Sequence, residues 1–150
     1  MKKFLVINGP NINMLGIREP NLYGKENYQS LISMIRKWGK ENNIEIECYQ
    51  SNHEGDIVDK IQEAYGKIDG IVINPAAYTH TSVAILDALK AVKIPAVEVH
   101  ITDINKRDEF RKVSYAGQAC FAHVIGEGLN GYIKALELLK QQNEIKYKNI

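Results

Sequence analysis

Gly70-Ile71-Val72-Ile73-Asn74, then Thr81 to Val92, then Ala96-Val97-Glu98-Val99-His100-Ile101 is the stretch on which the fold turns. The first run is apolar and β-branched, begins at a glycine and stops before Pro75, which reads as a buried strand. The middle segment puts Ile85, Leu89 and Val92 on one stripe of helical spacing. The third run is again short and β-branched. Strand, helix, strand in this order is a βαβ unit, whose two strands pair in parallel across the helical crossover.

The same alternation extends both ways along the chain. Phe4 to Asn8, Glu45 to Gln50 and Ala122 to Gly126 read as further strands. A helix is predicted over Tyr28 to Asn42, with Tyr28, Leu31, Ile32, Ile35 and Trp38 on one face and Asn27 as its cap. A second helix carries Ile57, Ile61, Ala64 and Tyr65, and Gly66 stops it. The last, Leu129 to Leu139, aligns Leu129, Tyr132, Ile133, Leu136 and Leu139. The expected class is α/β, five parallel strands with helices between them. No composition break or internal repeat divides the chain, so residues 1–150 are expected to form a single domain. Residues 141–150 carry no apolar stripe and are expected to fray. Gly9 to Glu26 is long for a βα connection, and its tip, Arg18-Glu19-Pro20-Asn21-Leu22-Tyr23-Gly24, suits a lid.

Bulk properties remove several functions. The 150 residues are 45% hydrophobic and 25% charged, ordinary for a folded domain. Nineteen basic residues against eighteen acidic ones leave a formal charge of +1, so no global field draws the chain to nucleic acid or to an anionic membrane. Any anionic partner must meet a local site. The apolar run that opens the chain ends at Asn8, far short of a signal-peptide core or a membrane span, so a cytoplasmic location is expected. The two cysteines, Cys48 and Cys120, are too few for a disulfide framework and are expected to be buried small hydrophobes.

In an open parallel sheet, ligands bind beyond the carboxyl ends of the strands, where the strand order reverses. Strand one ends in Asn8-Gly9-Pro10-Asn11, strand three in Asn74-Pro75 with His80 close behind, and strand four in Glu98-Val99-His100-Ile101-Thr102. Amides, imidazoles and a hydroxyl thus converge on one edge. Such groups orient neutral hydroxyls and move protons near neutral pH, which points to a polyol-like ligand. Gly9-Pro10-Asn11 is no GxGxxG, and no GxxxxGK[ST] occurs, which counts against nucleotide binding. The histidines, His53, His80, His100 and His123, lack metal-ligand spacing, so neither a metal nor a cofactor is expected.

Several ordered blocks resemble the type II 3-dehydroquinate dehydratases. They are Phe4 to Gly16 with Arg18-Glu19-Pro20 and Tyr23-Gly24, then Gln50 to Gly55, Ile73 to Ser82, Val97 to Ile101, Arg107 to Arg111, and Gly131-Tyr132. The resemblance implies a flavodoxin-like three-layer sandwich with a five-stranded parallel sheet of order 2-1-3-4-5, and a homododecamer built from trimers. It implies a hydro-lyase that turns 3-dehydroquinate into 3-dehydroshikimate, in the shikimate pathway of aromatic biosynthesis or in quinate breakdown, without Schiff base, metal or cofactor.

The same resemblance assigns roles. Tyr23 is the base, and Arg18 supplies the positive charge that keeps its phenolate accessible. Asn11 holds a water against the enolate oxygen. His100 is the general acid, oriented and charged by Glu98 two residues earlier on the same side of the strand. Backbone N–H groups at Ile101 and Thr102 are expected to take the substrate carboxylate, and Asn74, His80 and Arg111 its ring hydroxyls. Asp87 matches a position that reaches a neighbouring subunit's site. Three places depart from the pattern: Asp103 where asparagine is usual, Ile104-Asn105-Lys106, and Phe121-Ala122-His123. Asp103 raises the prospect of like-charge repulsion beside a carboxylate pocket. A non-enzymatic flavodoxin-like binding module and a catalytically dead paralogue are the competing readings.

Overall fold

The computed structural model describes residues 1–17 and 26–148, and the lid tip with Arg18 and Tyr23 lies outside them. Strands β1 (Lys3–Asn8), β2 (Glu45–Gln50), β3 (Gly70–Asn74), β4 (Ala96–His100) and β5 (Ala122–Ile125) alternate with helices α1 (Tyr28–Glu41), α2 (Glu54–Glu63), α3 (Val83–Val92) and α4 (Asn130–Lys148). The five strands form one sheet in the order β2-β1-β3-β4-β5, and each neighbouring pair is parallel. The order expected from the resemblance is the one observed.

Period-two alternation sorts the strand side chains onto two faces. Phe4, Val6, Val72, Val97, Val99 and Val124 meet Leu31, Ile35 and Trp38 of α1 and Tyr132, Leu136 and Leu139 of α4. Leu5, Ile7, Ile71, Ile73 and Ala96 meet Ile57 and Ile61 of α2 and Ile85 and Leu89 of α3. Two cores therefore share one sheet, and the strands buried on both sides read as continuous apolar runs. On β4 the second face carries Glu98 and His100 where the alternation would place hydrocarbon, and both are buried.

Caps fix the helix starts. Asn27 Oδ1 accepts from Ser30 N at 2.9 Å while Ser30 Oγ accepts from Asn27 N at 2.8 Å, a reciprocal box that starts α1 where the sequence predicts it. Ser82 Oγ accepts from Ile85 N, which moves the start of α3 to Val83, two residues after the expected Thr81. Two expectations change. Tyr65, placed on the buried stripe of the second helix, is 69% exposed, because α2 ends at Glu63 and the chain turns away through Gly66 at φ +75°. The expected fraying from residue 141 is replaced by helix through Lys148. Asn143, buried on that extension, donates from Nδ2 to Leu139 O at 3.0 Å and to Asp69 O at 3.4 Å, a tertiary anchor that periodicity does not register. Cys48 and Cys120 are free and half-buried at the margins of the two cores, not fully inside them. Among the described residues, no helix is long and apolar enough to cross a membrane.

Candidate active site

The carboxyl ends of β1, β3 and β4 open into a cleft of about 280 Å³ at the switch point between β1 and β3. Of the residues expected there, Asn11, Asn74, His80, His100, Ile101, Thr102 and Arg111 all line it, together with Arg107, which is not among the expected site residues. Glu98 stands behind His100. Asp87 is exposed on α3 and does not line the cleft.

The cleft's walls are held by backbone contacts. Gly9 N donates to Asn74 O at 2.8 Å, and a Cβ on Gly9 would stand 2.4 Å from Pro75 O, so only glycine lets the β1 and β3 ends approach this closely. Asn11 adopts a left-handed conformation at φ 71°. Its N–H donates to Asn52 Oδ1 at 3.0 Å. The same oxygen accepts from Gln50 Nε2 at 3.1 Å, and Tyr78 Oη donates to Asn52 O at 2.8 Å. Asn52, outside the expected site, is thus the post against which the Asn11 turn is set.

Asn74 is buried, and its amide is used at both ends. Nδ2 donates to Tyr132 Oη at 2.9 Å, and Oδ1 accepts from Ala76 N at 3.1 Å. Tyr132 Oη in turn donates to Asn8 Oδ1 at 2.6 Å. Burial pushes the Tyr132 phenol above its ordinary range, so it stays protonated and acts as a donor within this network. His80 Nδ1 lies 2.8 Å from Val113 O, and a carbonyl only accepts, so Nδ1 carries the proton. In the neutral ring Nε2 is left as an acceptor.

The acid couple lies at the floor. Glu98 Oε2 is 3.0 Å from His100 Nε2, both side chains being at most 5% exposed. The contact is off the N–H axis, so Nε2 has charge contact but no aligned hydrogen bond. Ser114 Oγ donates to Glu98 Oε2, Gly117 N donates to Ser114 Oγ at 3.0 Å, and His123 Nδ1 lies 2.7 Å from Glu98 Oε1. Burial alone would raise the Glu98 carboxyl. The close contact with His100, with donation from Ser114 and His123, outweighs it and brings the group down to about 2, so the carboxylate is ionised and His100 has a fixed counter-charge.

Arg107 and Arg111 give the mouth a positive lining. Arg111 Nε is 3.7 Å from Asp108 Oδ2, and its guanidinium stands 5.1 Å from the centre of the Phe110 ring. Asp103 does not line the cleft: its Oδ1 accepts from Asn105 N at 2.9 Å, capping the 3-10 turn Ile104–Lys106. The carboxylate expected to disturb an anion pocket is spent on its own turn. Among the described residues no group of three His, Cys, Asp or Glu is placed to hold a metal ion.

An ionised carboxylate behind a buried imidazole, facing arginines across a cleft at the switch point of a parallel sheet, defines an α/β protein equipped for acid–base work on an anionic small molecule. The class II dehydroquinase family matches residues 2–140, and this chain belongs to that family. It is 54% identical over 142 residues to the 3-dehydroquinate dehydratase of Caldicellulosiruptor bescii, covering 94% of this chain and 98% of that one. It is 52% identical over 147 residues to the 3-dehydroquinate dehydratase of Clostridium perfringens, covering 97% and 99%. The crystal structure of type II dehydroquinase from Butyrivibrio crossotus superposes with a TM-score of 0.89 at 58% identity, over 93% of this chain and 97% of that one.

Proposed function

We propose that this chain dehydrates 3-dehydroquinate to 3-dehydroshikimate through an enolate, with no Schiff base. The observation that carries the reading is the buried Glu98–His100 couple opening into a cleft lined by Arg107 and Arg111. The substrate is a hydroxylated ring with a carboxylate, and this cleft offers backbone N–H groups under a positively charged lining for the carboxylate and polar side chains for the hydroxyls.

The steps follow from the groups. Tyr23 takes the proton from the carbon beside the ketone, Arg18 having lowered the cost of holding the phenolate. A free phenol ionises near ~10, and each unit of depression needs about 1.4 kcal/mol of preferential stabilisation of the anion. Negative charge moves to the ketone oxygen, where a water held by Asn11 donates. His100, charged against Glu98, gives its proton to the departing hydroxyl, which leaves as water. The backbone at Ile101 and Thr102 takes the carboxylate. His80 Nε2, Arg111 and the remaining bonding capacity of Asn74 take the ring hydroxyls. In a homododecamer built from trimers, Asp87 reaches a neighbour's cleft. The setting is a cytoplasmic, cofactor-free step of aromatic biosynthesis or quinate breakdown.

The test is the rise of enone absorbance when the purified chain meets 3-dehydroquinate. Tyr23→Phe and Arg18→Ala are each expected to lower kcat by several powers of ten with KM little changed. Near-normal kcat in Tyr23→Phe would remove the tyrosine as base.

A further inference from the structure

His123 has no part in the mechanism above, yet it stands against the one carboxylate on which that mechanism's acid depends. It enters from β5, where its backbone pairs in register with Glu98. Its Nδ1 lies 2.7 Å from Glu98 Oε1, while His100 Nε2 lies 3.0 Å from Oε2. One buried carboxylate thus bridges two imidazoles, one on the cleft floor and one that is 45% exposed on the far side. Gly117 keeps the packing tight there, since a Cβ on it would stand 2.7 Å from Glu98 Oε1.

We propose that His123 is a positioning residue that, through Glu98, sets the orientation and the proton affinity of His100. The inference rests on the dehydratase reading for its kinetic consequence, and on geometry alone for the coupling. Two effects separate. The Nδ1–H group holds Oε1, which fixes the carboxylate plane and so the face that Oε2 presents to His100. A proton on His123 also places a second cation on the same carboxylate and weakens the hold of His100 on its own.

Among the described residues, the titratable or charged groups around this cluster are few. His100 comes from the same strand, His123 from β5 and Cys120 from the segment before β5, its thiol pushed up to about 12 by burial and by the Glu98 charge. From the cleft side, His80, Arg107 and Arg111 line the same space as His100. Cys120 stays a neutral thiol, and His80 is tied through Nδ1 to Val113 O.

Two substitutions split the effects. His123→Asn keeps a neutral donor near the Nδ1 position but never carries charge, and His123→Leu removes both. In His123→Leu, kcat is expected to fall roughly tenfold with KM within about twofold, and the alkaline limb of the kcat profile to rise by about one pH unit. In His123→Asn, kcat should return to within about threefold of the parent while the alkaline limb stays raised. Ring NMR signals of His100 should respond at two pH steps in the parent and at one in His123→Asn, a readout that needs no substrate. Parent-like kcat and pH profile in His123→Leu, or an unchanged His100 titration in His123→Asn, would overturn the proposal. An inert parent enzyme would instead defeat the dehydratase reading, and the NMR titration would still decide the coupling.

Discussion

Glu98 is a carboxylate in a position that sheet alternation reserves for hydrocarbon, and its partners decide what that costs. His100, Ser114 and His123 bring its carboxyl from the ordinary 4.5 to about 2. The folded chain therefore binds this proton less readily than the unfolded chain does, and the stabilisation is complete above 4.5 and lost as pH falls through 2. Glu98→Gln removes that dependence. It is also expected to cost about 3–5 kcal/mol near pH 6, since it leaves buried imidazole without a counter-charge. Urea midpoints at pH 6 and pH 3 check both points: the parent should lose more stability between them than the variant, and equal losses would mean that the fold does not lower the Glu98 carboxyl. The spacing of Glu98 and His100 was legible in the sequence because residues two apart share a face of a strand. Ser114 and His123 were not, because they arrive from 16 and 25 residues away and carry no local pattern. Nor does the sequence show that Asp103 caps its own turn outside the cleft lining, since that depends on how the chain folds back at Asn105.

Gly9 shows what the elements must do to bring such residues together. It sits where β1 leaves the sheet beside the end of β3, and its missing Cβ is the space occupied by Pro75 O, 2.4 Å away. Gly9→Ala must push the two strand ends apart, and those ends carry Asn11 toward the cleft on one side and Asn74 and His80 on the other. Overpacking of this kind costs about 1–3 kcal/mol, and a displacement of the cleft walls should lower kcat/KM at least about tenfold. Gly55→Ala is the control: its Cβ meets nothing within 4 Å on the first turn of α2, so it should leave kcat/KM unchanged and stabilise by about 0.5–1 kcal/mol. Melting temperatures and kcat/KM of the two variants decide it, and a Gly9→Ala enzyme with parent activity would show that the strand ends tolerate separation. Element identities were legible because apolar periods of two and 3.6 are local. Their ends were less so. The end of α2 depends on a turn at Gly66 that strips Tyr65 from the stripe, and the reach of α4 depends on Asn143 finding the Asp69 carbonyl, 74 residues away.

At the scale of the whole molecule, two cores lie on opposite faces of one sheet, and the question is whether they melt as one. Val72 and Ile73 are neighbours on β3 that point to opposite faces, Val72 toward α1 and α4, Ile73 toward α2 and α3. Trp38, the single tryptophan, sits on α1 and reports only the first face, where its Nε1 donates to Glu137 Oε1 of α4 at 2.7 Å. If the sheet transmits the loss of one core to the other, truncation on the far face must lower the Trp38 transition as surely as truncation beneath it. Ile73→Ala removes buried hydrocarbon that never touches the reporter's side, and such a change costs about 2–5 kcal/mol. The expected result is a Trp38 fluorescence midpoint in urea that falls in Ile73→Ala and coincides with the far-UV circular dichroism midpoint, as in Val72→Ala. A Trp38 transition left at the parent midpoint, with an earlier circular dichroism step for the α2 and α3 side, would mean two separately stable layers. The cleft would then lose its floor before its far wall, because Glu98 and His100 belong to the α2 and α3 face while Tyr132, which holds Asn8 and Asn74, belongs to the other. Cooperative melting is thus also a condition for the cleft to exist as one site, since its polar groups are drawn from both layers.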